Sequence, residues 1–117
     1  MREELSALEA LRGKVGLWTF AHESLPPERS GEVAALAESL GFASLFLPES
    51  FGREPLTSSS LLLGASSSLV VGSSIASIWA RDAMAAANGA RTLFAASGGR
   101  FALGLGVSHK PMVEDAR

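Results

Sequence analysis

Four nearly continuous apolar runs divide this chain into segments of similar length. They occupy residues 14–20 (KVGLWTF), 42–47 (FASLFL), a run that begins at Leu69 (LVV), and 100–107 (RFALGLGV). Each run is short, rich in β-branched, aromatic or leucine side chains, and bounded by glycine, serine or proline. This pattern is typical of strands that are covered on both faces. We therefore predict four buried strands.

Apolar residues with helical spacing fill the intervals between the runs. Residues 2–12 place three leucines three positions apart before Gly13, which predicts a short helix: Leu5, Leu8 and Leu11. A second helix is predicted with Ser24 as its cap, a proline in its first turn and Gly41 at its end. Its apolar face follows the i, i+3, i+4, i+7 spacing: Val33, Leu36, Ala37 and Leu40.

Two further helices complete the pattern. Residues 57–65 predict a helix with Leu61, Leu62 and Leu63 turned inward, although its serines and glycine are weak helix formers. The alanine-rich segment after Asp82 predicts a helix with a face of small residues, which allows a close approach to a sheet. Asp82 precedes this helix, and a capping role is favoured over a catalytic one.

The resulting order, β-α-β-α-β-α-β, predicts a parallel sheet with right-handed helical crossovers. Two architectures share this order: an open sheet with helices on both faces, and part of a closed (β/α)₈ barrel. A barrel needs at least about 200 residues. We therefore predict an α/β fold. If that fold is a barrel, these 117 residues form only the N-terminal part of a TIM (β/α)₈ barrel, about four βα units.

Polar residues follow the strands at the edge where parallel sheets bind ligands. His22 follows the first strand; a loop histidine is more often solvated than a proton carrier, and solvation is favoured. Three charged residues follow the second strand: Glu49, Arg53 and Glu54. Their simplest interpretation is solvated loop charges, and the sharper one places Glu49 in a pocket.

Composition narrows the class of protein. With 47% apolar and 19% charged residues, the chain is globular, and we expect residues 1–117 to form a single domain. A net charge of −2 without a basic cluster argues against nucleic acid and anionic membranes as partners. The absence of cysteine excludes thiolate chemistry and agrees with a cytoplasmic protein. No signal peptide, membrane span or paired-histidine metal spacing is visible, so no metal site is expected. The glycines at 104 and 106 lack the third glycine of a dinucleotide fingerprint.

Three longer runs carry a family resemblance: ESLGFASLFLPESFGRE, LVVGSSIASIWARDAMAAANGARTL and GGRFALGLGVSHKPMVE. They resemble the N-terminal part of the bacterial luciferase-like monooxygenase superfamily, in its branch of F420-dependent oxidoreductases. The resemblance implies a (β/α)₈ barrel, usually dimeric, that binds coenzyme F420 or FMN at its C-terminal mouth. It implies hydride transfer between the deazaflavin cofactor and an unidentified small-molecule substrate. The alternatives are an FMN-dependent monooxygenase of the same family and a truncated, non-catalytic α/β module.

The resemblance also implies roles for particular residues. Ser74 and Ile75 match a non-proline cis bulge behind the cofactor ring, and Ser77 matches a nearby polar contact. Glu49 matches an acidic cofactor contact of the sugar-phosphate-oxidising relatives. The following residue is Ser50 where those relatives have a catalytic histidine, so their proton transfer cannot be carried over unchanged. Further contacts are implied beyond the fourth strand: Val107 and Ser108. His109 takes the place of an acidic proton acceptor, and a histidine could do that work. The alternative interpretation of His109 is a hydrogen-bonding loop histidine without a catalytic role.

Two expectations follow for the chain by itself. The loops that hold the cofactor's phosphate tail come from later strands in this family, so we expect residues 1–117 alone to be inactive. Four strands of a barrel expose two sheet edges and an apolar inner face. We therefore expect a homo-oligomer, aggregation or marginal stability.

Overall fold

The computed structural model of the protein describes residues 7–117. It contains six short strands: β1 (Leu17–Trp18), β2 (Ser44–Leu47), β3 (Val70–Ser73), β4 (Ala76–Ser77), β5 (Phe101–Ala102) and β6 (Leu105–Gly106). Its helices are α1 (Gly31–Ser39), α2 (Pro55–Gly64), α3 (Ala83–Ala96) and α4 (Lys110–Glu114). Two 3₁₀ turns, Ala21–Ser24 and Pro27–Arg29, precede α1.

All strand pairs are parallel, and their order in space is their order in the chain. The larger sheet runs β1-β2-β3-β5, and β4 pairs with β6 in a second ladder. Only Ser74 and Ile75 separate β3 from β4, and only residues 103 and 104 separate β5 from β6. The predicted parallel α/β fold is confirmed, with the third and fourth predicted strands each divided into two segments.

The division has a side-chain cause. The Ser73 hydroxyl donates to the carbonyl oxygen of Gly104 (2.8 Å) and accepts from its amide (3.0 Å). The fourth strand is thereby fastened to the third by a side chain where a regular ladder would use backbone alone. The pattern of apolar residues does not reveal that a side chain takes the place of backbone groups in this ladder. The continuous strand predicted over residues 100–107 was therefore wrong in its interior.

Alternate faces of the sheet have different surroundings. The pairing aligns four residues whose side chains pack against the helices: Leu17, Leu45, Val71 and Phe101. Buried Ala34 and Ala37 of α1 and Leu62 of α2 complete this core. The next row points to the opposite face, because strand side chains alternate: Trp18, Phe46, Gly72 and Ala102. Helices thus cover one face, as in a barrel wall.

Several predicted boundaries require correction. The helix predicted from Ser24 begins only at Gly31, since Pro26 and Pro27 restrict the preceding backbone and remove donors, leaving two 3₁₀ turns. The first strand shortens from residues 14–20 to two residues. Leu61 is 41% exposed, whereas Leu62 and Leu63 are buried as predicted.

The ends of the other helices follow simple capping chemistry. Glu54 caps α2 by accepting from the amides of Leu56 (3.1 Å) and Thr57 (2.6 Å), which moves the helix start upstream of the predicted residue 57. Asp82 caps α3 by accepting from the Ala85 amide at 2.8 Å, as predicted. Residues 7–9 are helical and agree with the predicted N-terminal helix, while Leu5 lies outside the described residues.

Gly104 leaves no room for a side chain. A Cβ built there would lie well inside van der Waals contact of the Ser73 carbonyl oxygen, and 3.3 Å from its carbon. Because these are backbone atoms, the Gly104→Ala change should lower the free energy of unfolding by about 3 kcal/mol. Urea denaturation followed by circular dichroism measures this loss. Gly64, with nothing within 4 Å of an added Cβ, is the matched control, and Gly64→Ala should be neutral or stabilising. Equal stability of the two variants would contradict the close approach of the Ser73 backbone to Gly104.

The carboxylate of Glu38 fastens the end of α1 to the loop before β3. It accepts hydrogen bonds from the amides and hydroxyls of both Ser67 and Ser68, at 2.7 to 3.2 Å. These bonds, that of the Ser68 hydroxyl foremost, lower the pKa of Glu38 to about 2. The hydrogen bonds of the folded protein therefore stabilise the ionised form of the Glu38 carboxylate.

This lowered pKa makes the contribution of Glu38 dependent on pH. The stabilisation is fully present above the ordinary pKa of 4.5 and is lost as the pH falls from there towards 2. We expect Glu38→Gln to lower the urea midpoint at pH 7, and the difference from the unmodified protein to shrink below pH 4.5. Urea titrations at pH 7, 4.5 and 3 measure the trend. A difference that grows on acidification would contradict it.

Candidate functional site

The predicted site residues lie in three neighbouring loops at the carboxyl ends of the strands. These loops follow β2, span the break between β3 and β4 together with the turn after β4, and follow β6. Direct hydrogen bonds join the first loop to the second and the second to the third. The seven predicted residues are therefore distributed along one edge of the sheet: Glu49, Ser74, Ile75, Ser77, Val107, Ser108 and His109.

Glu49 is the buried charge of this edge. Its side chain is only 6% exposed. Its carboxylate accepts two hydrogen bonds from Arg81, at 2.6 and 3.1 Å, and one from the Ser77 amide at 2.6 Å. Arg117 lies 3.7 Å from the same carboxylate. Glu49 is thus a buried, fully engaged group, in contrast to the solvated loop charge of the simplest interpretation.

Arg81 is the centre of the polar cluster, with a side chain 11% exposed. Its guanidinium also donates to Glu54 (3.0 Å) and to the Ser77 carbonyl (3.3 Å). Partial burial raises the pKa of Glu54, but the hydrogen bonds from Thr57 and Leu56 and the charge of Arg81 outweigh it, so the pKa is lowered. Arg81 therefore bridges the loop after β2, the start of α2 and the turn after β4.

The break between β3 and β4 has the predicted geometry. The peptide bond between Ser74 and Ile75 is cis, which confirms the predicted bulge. The indole N–H of Trp18 donates to the Ser74 carbonyl oxygen at 2.7 Å, and the Ser74 amide donates to the Leu47 carbonyl at 2.7 Å. Ser74 is exposed, whereas Ser77 is 3% exposed. The bulge is therefore held by hydrogen bonds to residues of β1 and β2.

A second indole holds the loop after β6. The indole N–H of Trp79 donates to the Val107 carbonyl oxygen at 2.8 Å. The Val107 side chain is 67% exposed. Ser108 follows with a φ of +61°, and His109 precedes α4 with an exposed side chain that makes no capping hydrogen bond. The side chain of His109 is consequently accessible to solvent.

His22 differs from its favoured interpretation as a solvated histidine. It is 1% exposed, and its Nδ1 has no hydrogen-bond partner among the described residues. Burial lowers the pKa of His22, opposed by the charge of Glu23 and reinforced by that of Arg53. Glu23 accepts from the Arg53 amide (3.1 Å), and the Arg53 guanidinium donates to the His22 and Leu25 carbonyls. These hydrogen bonds join the 3₁₀ turn that contains His22 to the loop after β2, a connection that the residue pattern of either loop alone does not show.

Chemically, the edge offers an apolar wall and few uncommitted charges. Four exposed apolar side chains stand along it: Trp18, Ile78, Trp79 and Val107. The guanidinium groups of Arg53 and Arg81 are engaged by carbonyls and carboxylates. The exposed surface along this edge is therefore largely apolar, and within residues 7–117 it does not provide a cluster of unpaired guanidinium groups for a phosphate group.

Two further absences concern residues 7–117. Within them, no group of histidine and acidic side chains has an arrangement that could bind a metal ion. Within the same part of the chain, no helix has the length and apolar character needed to cross a membrane.

Sequence reasoning missed three residues that organise this site. Trp18, Trp79 and Arg81 were assigned no role, yet each makes a hydrogen bond to a loop that holds a predicted site residue. The available signal was weak: Arg81 is a charge next to a predicted strand end, and Glu49 is the opposite charge next to the neighbouring one. Glu49 and Arg81 are 32 positions apart, and they pair because of the order of the strands in the sheet. That order can be deduced from the sequence pattern only once the fold has been assumed.

Comparison with known proteins gives three similarities. A family model described as luciferase-like monooxygenase matches residues 13–116. A curated protein of Mycobacterium tuberculosis strain H37Rv, provisionally named a coenzyme F420-dependent oxidoreductase, is 36% identical over 101 residues. That match covers 86% of this chain and 29% of the relative.

The third similarity is structural. The coenzyme F420-dependent tetrahydromethanopterin reductase of Methanopyrus kandleri superposes with a TM-score of 0.78 at 20% identity, over 88% of this chain and 29% of the reductase. This likeness shows the fold, a partial barrel. The chain spans about 29% of the length of each of these two proteins.

Proposed function

Because the chain belongs to the luciferase-like monooxygenase family, we propose that it forms the first part of an F420-dependent oxidoreductase. Its reaction is hydride transfer between the deazaflavin cofactor and a small organic substrate. Support comes from the two similar proteins, both of which are named as F420-dependent. The observation on this chain that carries the proposal is the apolar wall beside the Ser74–Ile75 bulge, held in place by a buried ion pair.

The cofactor ring would lie against the exposed edge of the strands. We propose that Ser74, Ile75, Val107 and Ser108 contact it directly, since these residues lie in the bulge and in the loop after β6. Bound F420 would supply the carbon that accepts or gives the hydride, while the protein supplies position and electrostatics.

Glu49 and Ser77 contribute to the same site in a different way. The Glu49 carboxylate holds the Ser77 amide and Arg81, so that both ends of the β4 turn are fixed relative to the loop after β2. We propose that these residues set the shape of the cofactor wall. His109 is the proposed catalytic residue: its exposed imidazole is free to take or give the proton that accompanies hydride transfer.

The domain organisation and the partners of the protein are part of the same proposal. Residues 1–117 are taken as one partial barrel domain whose partner is a small molecule, with homo-oligomers formed through the exposed edges of β1 and β5. Since Arg53 and Arg81 are already paired, the phosphate tail of the cofactor would be bound by other parts of a barrel. We expect residues 1–117 alone to show no turnover with F420 or FMN.

A chimera tests the function directly. Residues 13–116 of this chain would replace the matching segment of the mycobacterial relative, with the unmodified relative as the reference. We expect the chimera to bind F420 with a Kd within about tenfold of the reference. A tenfold change in Kd corresponds to about 1.4 kcal/mol of binding free energy. Titration followed by cofactor fluorescence measures the Kd.

The other outcomes separate the alternatives. A folded chimera that binds FMN but not F420 would favour the FMN-dependent monooxygenase. A chimera with a native circular dichroism spectrum that binds neither cofactor would contradict an oxidoreductase function for this segment and favour the non-catalytic module.

A further inference from the structure

His22 is the buried residue of the turn Ala21–Ser24, which follows β1. The residue is 1% exposed, whereas Ala21 and Ser24 at the ends of the turn are exposed. Its Nδ1 atom is inaccessible to solvent and has no hydrogen-bond partner among residues 7–117. Because this atom is already enclosed, further chain could reach it only if the surrounding residues moved. The burial of the imidazole is therefore a property of this part of the protein.

The surroundings of His22 favour a neutral imidazole. An imidazolium carries an N–H on both ring nitrogens, and no described residue offers an acceptor to the one at Nδ1. Two charged groups act on the ring, those of Arg53 and Glu23, and the Glu23 carboxylate already accepts a hydrogen bond from the Arg53 amide at 3.1 Å. Burial lowers the pKa of His22, the charge of Glu23 opposes this effect, and the charge of Arg53 adds to it.

The helix α1, against which the turn packs, supplies no counter-charge to the imidazole. Its charged residues are Glu32 and Glu38. Glu32 forms an exposed pair with Arg29 at 2.9 Å, and Glu38 is bonded to the loop before β3. A proton on His22 consequently finds neither an acceptor nor an uncommitted carboxylate unless the ring leaves its buried position.

Arg53 provides the second attachment of the turn. Its guanidinium donates to the carbonyl oxygens of His22, at 2.7 Å, and of Leu25. Its amide donates to Glu23. The turn has only four residues, so moving the ring out to water displaces the same backbone whose carbonyl oxygen Arg53 binds. Protonation of the imidazole therefore weakens both attachments together.

We propose that the turn Ala21–Ser24 is a pH-sensitive latch on the loop after β2, with His22 as the group that senses the proton. While the imidazole is neutral, the turn is docked and bonded to Arg53. When the imidazole is protonated, the turn undocks, and the loop that carries Glu49 and Glu54 loses this support. The latch lies at the edge of the sheet where parallel α/β folds bind ligands.

The direction of the effect follows from the lowered pKa. Docking is strongest above the ordinary histidine pKa of 6.5 and weakens as the pH falls below it, because the undocked turn binds the proton more tightly. One proton changes an equilibrium by at most about tenfold per pH unit. The hydrogen bonds of Glu38, whose pKa is about 2, are unaffected in this range and provide a reference within the same molecule.

Hydrogen exchange followed by NMR tests the latch on the unmodified chain. The reporter is the Arg53 amide, and its protection factor compares the measured exchange rate with that of an unfolded chain at the same pH. Between pH 7.5 and 5.0 we expect this protection to fall at least about threefold, and by no more than about tenfold per pH unit. The Ser67 amide, which donates to Glu38 at 3.0 Å, should keep its protection.

The same samples report the titration of His22 itself. The chain contains two histidines, so the imidazole signal that remains in His109→Gln is that of His22. The midpoint of this titration should coincide with the midpoint of the loss of Arg53 protection, a comparison that needs no change at His22. A ring that titrates while Arg53 keeps its protection, or a ring that stays neutral down to pH 5.0, would overturn the proposal.

Two variants separate His22 from other groups. His22→Gln has an amide that does not take up a proton in this range, and protection of the Arg53 amide should then vary less than about twofold between pH 7.5 and 5.0. Arg53→Met should weaken the docking at both pH values and raise the midpoint of the His22 titration, since a facing positive charge is removed. His109→Gln, which removes the exposed histidine, is the matched control and should leave the pH dependence of Arg53 protection as it is. An equal loss of protection in His22→Gln would overturn the role of His22.

The latch is independent of the proposed oxidoreductase function, and its tests use no cofactor. A pH-dependent latch together with a chimera that binds neither F420 nor FMN would refute the oxidoreductase alone. F420 binding by the chimera, with Arg53 protection that does not change with pH, would refute the latch alone.

Discussion

Replacing Arg81 with methionine should lower the free energy of unfolding by about 3 to 5 kcal/mol. Methionine has a similar length and preserves much of the packing, but it leaves the Glu49 carboxylate, 6% exposed, without the two guanidinium hydrogen bonds. Arg117 at 3.7 Å and the Ser77 amide replace only part of that interaction. A loss of this size is a large part of the 5 to 15 kcal/mol that typically stabilises a domain. Urea denaturation followed by circular dichroism measures it.

Two controls separate the charge from its geometry. Arg81→Lys keeps the positive charge but loses the paired hydrogen bonds, and an intermediate loss is expected. In the double variant Glu49→Gln/Arg81→Met the buried charge is gone, so most of the stability should return. A double variant as unstable as Arg81→Met alone would show that the ion pair is not the cause.

Replacing His109 with alanine in the chimera should reduce kcat by about 10² to 10⁴-fold, which is the usual contribution of a proton-transferring side chain. The imidazole is exposed and makes no capping hydrogen bond, so its removal should leave stability and F420 affinity unchanged. Steady-state kinetics with separate values for kcat and KM measure the effect once a substrate is found.

The adjacent Lys110 provides the control. Its ammonium is exposed and pairs with Glu114 at 3.8 Å, so Lys110→Ala should keep full activity. Added imidazole should restore part of the rate of the His109→Ala variant, since it supplies the missing proton acceptor. Full activity of the His109→Ala variant would reduce this histidine to a surface residue.

The order of strands and helices could be predicted because each depends on local apolar periodicity. The runs at 42–47 and 100–107 contain strands, and Asp82 caps a helix. The boundaries could not be predicted as well. Strand length depends on which neighbour supplies a ladder, and the break at Gly104 depends on a hydroxyl 31 positions upstream.

The site was harder to predict for the same reason. A lone histidine after a strand has no local feature that distinguishes solvation from burial. His22 is buried in a turn whose neighbouring Glu23 accepts a hydrogen bond from a loop 30 residues further along. Glu49 could be singled out by its position, but its partner Arg81 could not, because the attraction between them exists only once β2 and β4 lie near each other. The roles of the seven site residues towards a cofactor stay predictions.

The agreement between spatial and sequential strand order also has a consequence for folding. Pairing joins residue 17 to 45, 44 to 70 and 71 to 101, so each new strand closes a loop of no more than about thirty residues. The entropy of loop closure is therefore similar at every step and never large. The sheet can grow one βα unit at a time from either end, as in repeat proteins, without waiting for its first and last strands to meet.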